Sequence, residues 1–408
     1  MNLSYRIAIR YFFSRNKRSF ISVIARIAMA GVAVGTMAMV VVLSVFNGME
    51  ELNRKMFKTF DADVTVTPSE GKRFTVSDSV LKMVKSVDGV QLITQVIEDN
   101  ALARYRNQQT IVKLKGVDST FSRRGQLDTA LIEGSLNLYG GNGTPFAVIS
   151  EGVRNALTIS LEDILTPLEL WYPRTGTKTL NLTSTEAFNQ TVIRPGGVFF
   201  IESRYDDYVI APLPIVEALL QYNGQRSSLE IKTAPGFTEK QVAKELREKL
   251  GNKFTVRDRD AMNADLLRAI RVEKLFVSVT LSFIILVAAI NIFFSLSMLA
   301  IEKKKDVSML YALGATPSLI RKIFLAEGAI VALSGAIVGI IFGVLICWLQ
   351  ISYGFVSMGM TTALVDAYPV KLIWQDIFFT GVIIVIITLA VSYIPARRAA
   401  LSGQRSAV

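Results

Sequence analysis

The chain has 408 residues, 51% of them hydrophobic, a mean hydropathy of +0.39 and a net charge of +11. It holds no histidine and one cysteine, Cys347, which excludes histidine-based triads, histidine-ligated metals and any disulfide within the chain. There is no G-x-x-x-x-G-K-[ST] phosphate loop, which excludes ATP hydrolysis by the usual P-loop.

The excess charge is confined to three segments. Residues 1–26 carry six basic and no acidic side chains, 302–324 carry five basic and two acidic, and 395–408 carry three basic. Each borders a run without Asp, Glu, Lys, Arg or His: 27–46, 275–301, 329–351 and 377–394. Runs of this length cross a hydrocarbon core of about 30 Å, and basic flanks mark cytoplasmic ends. The charge therefore reflects membrane topology, and no nucleic-acid face is expected. Without ionisable groups at depth, a proton- or ion-coupled transporter is disfavoured.

In chain order, residues 1–26 read either as a cationic helix lying on the cytoplasmic leaflet or as simple flanking charge. The first span, 27–47, carries Gly31 and Gly35 as GxxxG, a pattern that admits a close partner helix. Residues 48–271 are polar and, with the N-terminus inside, extracytoplasmic. Within them 61–68 alternates as a strand, 77–87 is helical in pattern, and 91–117 gives two strands about an Arg106-Asn107-Gln108 turn. Further on, 228–234 is a strand, Thr238 to Leu250 a helix with Val242, Leu246 and Leu250 on one side, and 253–257 a strand. The flanks 61–118 and 222–257 thus form an α/β subdomain, with 119–221 a β-rich insertion. Inside it, GGNG at 140–143 reads as a turn, and Tyr172 to Arg194 as a long polar stretch, either a variable surface loop or a functional one.

The second span, 272–301, contains Asn291, an amide expected to hydrogen-bond a neighbouring helix. A cytoplasmic loop, 302–326, leads into the third span, 327–351, where Gly335, Gly339 and Gly343 form a small-residue seam. A short outer loop, 352–375, precedes the fourth span, 376–394, and a cytoplasmic tail, 395–408. The fold class is a membrane protein with four transmembrane α-helices and a large α/β extracytoplasmic domain between helices 1 and 2.

The loop EKKKDVSMLYALGATPSLIRKIFLAEG (302–328) is the most informative stretch. Val307, Leu310, Tyr311 and Gly314 fall at i, i+3, i+4 and i+7, the pattern of a short amphipathic helix. Gly314 sits where a helix ends left-handed, and Thr316-Pro317 reads as an N-cap followed by proline at the first helical position. By spacing alone the loop is either this device or an ordinary basic loop.

Its residues closely resemble the FtsX/MacB-type ABC permease superfamily, at the charged run, at Gly314-Ala315, and at Ile320, Glu327 and Gly328. SVFNGMEEL (44–52) after the first span resembles the lipoprotein-releasing LolC/LolE permeases, and IPARRAA (394–400) resembles the family's terminus, although its continuation departs from it. The resemblance implies a MacB-like periplasmic core and a coupling helix that docks on a separate cytoplasmic ATPase. Coupling then falls to Asp306, Val307, Met309, Leu310, Leu313, Gly314 and Ala315, with Glu327 either bracing this helix or sitting at the interface.

The implied cargo is acylated lipoprotein, handed to a soluble periplasmic carrier. Met39, Phe46 and Met49 on the first span, with Phe276 and Val279 on the second, are either lining residues for acyl chains or lipid-facing packing residues. By position, Tyr172, Pro173, Arg174 and Arg194 border the stretch that would contact the carrier. A second permease subunit, a copy or a paralogue, is expected from the seams. The chain is expected to bind no cofactor and to catalyse nothing itself, with ATP and Mg²⁺ on the partner, in the bacterial inner membrane with both termini cytoplasmic. A MacB-like efflux permease and an FtsX-like regulator of a cell-wall hydrolase are the alternatives.

Overall fold

The computed structural model describes residues 20–174, 187–359 and 367–404. The predicted N-terminal amphipathic segment falls largely outside these residues, as does 175–186 of the polar stretch. The chain forms two compact units: a mixed one, Asn53–Leu267, and a helical one that holds the four long apolar helices.

In order, the elements are α1 (Phe20–Phe60), β1 (Val64–Pro68), β2 (Phe74–Thr75), α2 (Asp78–Lys85), β3 (Val90–Tyr105), β4 (Gln108–Val117), β5 (Leu131–Gly134), β6 (Phe146–Ser150), α3 (Glu151–Leu157), β7 (Leu168–Pro173), β8 (Phe188–Phe199), β9 (Tyr208–Pro212), α4 (Leu213–Leu220), β10 (Gln225–Arg226), β11 (Ser228–Thr233), α5 (Glu239–Leu250) and β12 (Phe254–Asp258). Then come α6 (Ala264–Glu302), α7 (Lys304–Ala312), α8 (Pro317–Tyr353) and α9 (Trp374–Gln404).

In the mixed unit, β1-α2-β3 and β11-α5-β12 interleave, giving the strand order β12-β1-β11-β3 with antiparallel neighbours. This is a split βαβ arrangement, in which each crossover leaves room for a strand of the other unit. The helix α5 starts at a reciprocal capping box between Thr238 and Gln241, and buries Val242, Leu246 and Leu250 at one-turn spacing. The long β3 turns through Arg106, at φ +54°, into β4, and the same sheet continues through β9, β6, β8 and β5. The 118/119 boundary drawn from sequence therefore lies inside one continuous sheet. The GGNG stretch is a turn, closed by Gly140 N–H donating to the Thr144 carbonyl.

A correction concerns 172–194. The sequence suggested a polar loop throughout, whereas β7 and β8 form an antiparallel pair from Leu168↔Ile193 to Pro173↔Phe188. Alternation is weak there because Asn189, Gln190, Thr191 and Arg194 hydrogen-bond through their backbones while their side chains stay polar.

A charged cluster is buried in this unit. Glu230 on β11 pairs with Lys115 at 2.7 Å and with Arg124, all three under a tenth exposed. Burial works against the Glu230 charge, but the two cations outweigh it and hold the carboxyl at about 2. The stabilisation is complete above the usual value near 4.5 and fades as pH falls toward 2. Replacing Glu230 by Ala leaves two buried cations unpaired and is expected to cost about 3–5 kcal/mol. Chemical denaturation followed by Trp171 fluorescence measures this.

The membrane helices run past the apolar spans read from sequence. The helix α1 continues past the predicted span to Phe60, α6 begins at Ala264 rather than 272, and α9 runs through Pro395 to Gln404. Hydropathy marks where the apolar stretch ends, while backbone hydrogen bonding has no reason to stop there. The two glycine seams are spent within the chain. Gly31 and Gly35 meet Ala288 and Ile285 of α6, and Gly335, Gly339 and Gly343 meet the 29–40 segment of α1. A Cβ on Gly335 would lie 2.6 Å from the Met29 carbonyl oxygen, so only glycine allows this approach. The seams thus give no ground for a second subunit. Asn291 is exposed and makes no hydrogen bond among the described residues.

Candidate functional site

The helix α7 is short but firmly built. Gly314, at φ +89°, ends it left-handed; Ala315 N–H donates to the Leu310 carbonyl at 2.9 Å and Gly314 N–H to that of Tyr311 at 2.9 Å. These two bonds are the Schellman pattern. Thr316 Oγ1 then accepts from Leu319 N–H, with Pro317 opening α8. The predicted helix, stop and restart are all present.

The underside of α7 is anchored. Val307 is buried with Leu299, Ile320, Ile323 and Phe324, and with Ala396, Ala399 and Ala400 of α9, while Leu310, Tyr311, Ala315 and Leu319 pack partly against them. Tyr311 Oη donates to the Ala400 carbonyl at 2.7 Å. The alanines fall at i, i+3 and i+4, turning a face without bulk toward α7 and leaving Arg397 and Arg398 exposed. Sequence reading missed this role of the PARRAA segment, although the alanine spacing carried the signal. Asp306 is held by Lys303 one turn earlier at 3.3 Å.

The coupling candidates therefore divide. Met309 and Leu313, 60% and 83% exposed and one turn apart, project outward with Gly314. Val307, Leu310 and Ala315 face inward and orient that surface rather than form it. Lys304, Lys305 and Lys322 lie exposed around it. Glu327 is buried in α8 with Oε2 unpartnered among the described residues, next to Gly328, which packs against Ser392 of α9.

The lining candidates also separate. Met39 is buried in the core with Ala28, Val32, Leu43, Ile285 and Ile292, so it lines nothing accessible. The small residues around it bring α1 close enough to enclose a long side chain. Phe46 and Met49 are half-buried, whereas Phe276 and Val279 join an exposed apolar stripe of α6 with Phe283, Ile290 and Phe294.

Of the carrier-contact candidates, Tyr172 donates to Asp99 Oδ2 at 2.9 Å; burial first, then this bond, pushes its hydroxyl up to about 12. Tyr172 is thus committed inward, whereas Pro173, Arg174 and Arg194 are exposed. Arg174 Nε donates to Asn189 across the β7–β8 pair at 3.0 Å. Arg174 and Asn189 line a cleft of about 700 Å³ against Ile215 and Leu219 of α4.

Two family models match the chain: the MacB-like periplasmic core domain over residues 26–249 and the FtsX-like permease C-terminal domain over 278–401. The chain belongs to the FtsX-like permeases with a MacB-like core. Similar curated proteins include the lipoprotein-releasing system transmembrane protein LolC of Neisseria meningitidis, 24% identical over 84% of this chain and 81% of its own. LolE of Haemophilus influenzae is 21% identical over 98% and 97%, and LolC of Xylella fastidiosa 23% over 98% and 96%. Among solved structures, the periplasmic region of MacB from Actinobacillus actinomycetemcomitans covers 50% of this chain and 91% of its own, at 12% identity and a TM-score of 0.35.

In this permease, Ala399→Leu is expected to overpack the α7–α9 contact by about 1–3 kcal/mol. Hydrogen exchange at amides 304–313 should accelerate while that of 331–345 stays unchanged.

Proposed function

We propose that this chain is the permease subunit of an ABC transporter that releases acylated lipoproteins from the inner membrane to a periplasmic carrier, driven by a separate ATPase. The observation that carries the coupling half of this reading is the surface at α7. Two large apolar side chains, Met309 and Leu313, stand exposed on a helix whose other face is locked to α8 and α9. An apolar centre with a charged rim is the anatomy of a protein interface. A push on these side chains would pass through Val307 and Tyr311 into two membrane helices rather than dissipate in a loop. The basic rim calls for acidic groups on the partner, which would bind ATP and Mg²⁺; this chain supplies the lever and no catalysis. The charge distribution supports cytoplasmic termini.

The cargo half rests on the Lol-named relatives and on the apolar membrane region. At ~0.8 kcal/mol per methylene, three acyl chains of roughly 45 methylenes would cost on the order of 35 kcal/mol to expose to water. Release therefore needs a shielded path to the carrier. Phe46, Met49, Phe276 and Val279 are the lining residues retained, with Arg174 and Arg194 as carrier contacts. A second permease subunit completes the assembly; the uncovered α6 stripe and the exposed Asn291 supply a face for it.

Met309→Asp with Leu313→Asp should weaken capture of the partner ATPase at least about tenfold, because a carboxylate cannot enter an apolar interface centre without losing its hydration. Unchanged capture and transport would remove the coupling role. For the cargo, a photoreactive probe at Met49 should yield acylated-protein adducts in cells, identified by mass spectrometry. Recovery of a cell-wall hydrolase or of small molecules instead would favour the regulator or the efflux permease.

A further inference from the structure

Three uncharged runs each have a polar residue at their immediate border: Asn47 after the first, Lys274 before the second and Asp376 before the fourth. These three side chains meet. Lys274 Nζ donates to Asn47 Oδ1 at 2.8 Å and to Asp376 Oδ2 at 2.8 Å, and Asn47 Nδ2 donates to Asp376 Oδ2 at 2.7 Å. The ring is closed, with both ends of the Asn47 amide in use. Asn47 is buried, whereas Lys274 and Asp376 keep about a quarter of their side chains exposed.

A second tie reinforces the same turn of α1. Lys371 N–H donates to the Ser44 carbonyl at 2.9 Å, and its Nζ pairs with Glu51 at 2.8 Å. Gly48 lies so close to the backbone of Pro369 and Val370 that an added Cβ would meet the Val370 nitrogen at 2.6 Å. This accounts for the Asn47-Gly48 pair, asparagine for the ring and glycine for the close approach, while Glu51, one turn further along α1, makes the outer pair.

Charge-assisted bonds are roughly twice as strong as neutral ones, so the ring holds α1, α6 and α9 together at one end of the bundle. It is also breakable, because Lys274 and Asp376 already reach water and can be rehydrated when parted. Its position gives it consequence. Phe46 and Met49 flank Asn47, and Phe276 follows Lys274 by two residues, so the ring joins the two helices that carry the retained lining residues.

We propose that Asn47, Lys274 and Asp376 form a latch that holds α6 against both α9 and α1 and releases α6 once in each ATPase cycle. The three are positioning residues, and their link to cargo rests on the function proposed above. The ring's geometry does not, whereas its opening in the cycle rests on the ATPase coupling of that function.

The test uses the full chain assembled with its partner subunits in nanodiscs, with Cys347→Ala and spin labels on Glu273→Cys and Gln375→Cys, two exposed positions beside the ring. Without nucleotide, electron–electron resonance should give one short distance, and trapping with ATP and vanadate should add a longer one. Lys274→Gln should show the longer distance in both states, and Lys274→Arg should restore the nucleotide-dependent pattern. A distribution that ignores nucleotide in the unsubstituted ring overturns the proposal, as does a Lys274→Gln distribution equal to that of the unsubstituted ring. These distances are read without cargo. A nucleotide-dependent latch with no lipoprotein adduct at Met49 would retain the latch and remove the cargo assignment.

Discussion

The bundle depends on how closely α1 is approached by its neighbours. Gly31 and Gly35 let α6 come against one side of it, and Gly335, Gly339 and Gly343 let α8 come against another. In a hydrocarbon solvent, burying leucine against leucine gains little over burying it against lipid, so close van der Waals packing and specific polar contacts must supply the cohesion. Glycine provides the first by bringing backbones together. Thr36 and Ser44, whose hydroxyls donate to carbonyls within α1, keep polar groups satisfied without leaving that tight space.

The two ends of the bundle are held by different chemistry. At the α7 end the contacts are apolar and fine-grained: alanines of α9 against Val307 and Tyr311, set by the Schellman turn at Gly314. At the other end they are ionic and partly hydrated, through Lys274, Asp376 and Asn47. Apolar packing is hard to loosen by degrees, whereas a partly wetted ion pair exchanges its partners for water at modest cost. A rigid input and a reversible closure are what a lever requires, because energy applied at one end is transmitted only if the intervening contacts do not yield first.

The buried Lys115–Glu230–Arg124 cluster of the sheet unit shows the same restraint in another setting. Such a group is not favourable merely by existing, since burying three charges costs hydration that apolar side chains would not lose. Its value lies in specificity: Glu230 can satisfy its two oxygens in one register of β11 against β3 and of β3 against β4, and a slip would bury all three charges unpaired.

From sequence alone came the four spans, the place of the α/β domain between the first two, and the helix–stop–helix at 302–320, because hydropathy, alternation and capping are local properties written in neighbouring residues. The capped α5 and the turn at Arg106 were legible for the same reason. Helix ends beyond the apolar runs were not, nor was the β7–β8 pair, whose partners are polar and separated in the chain. The partners of the glycine seams, the burial of Met39, the division of the α7 residues into inner and outer faces, and the meeting of Asn47, Lys274 and Asp376 were decided by tertiary structure. Each depends on which surfaces of distant helices come together, and the order of residues along a single helix carries no record of that choice.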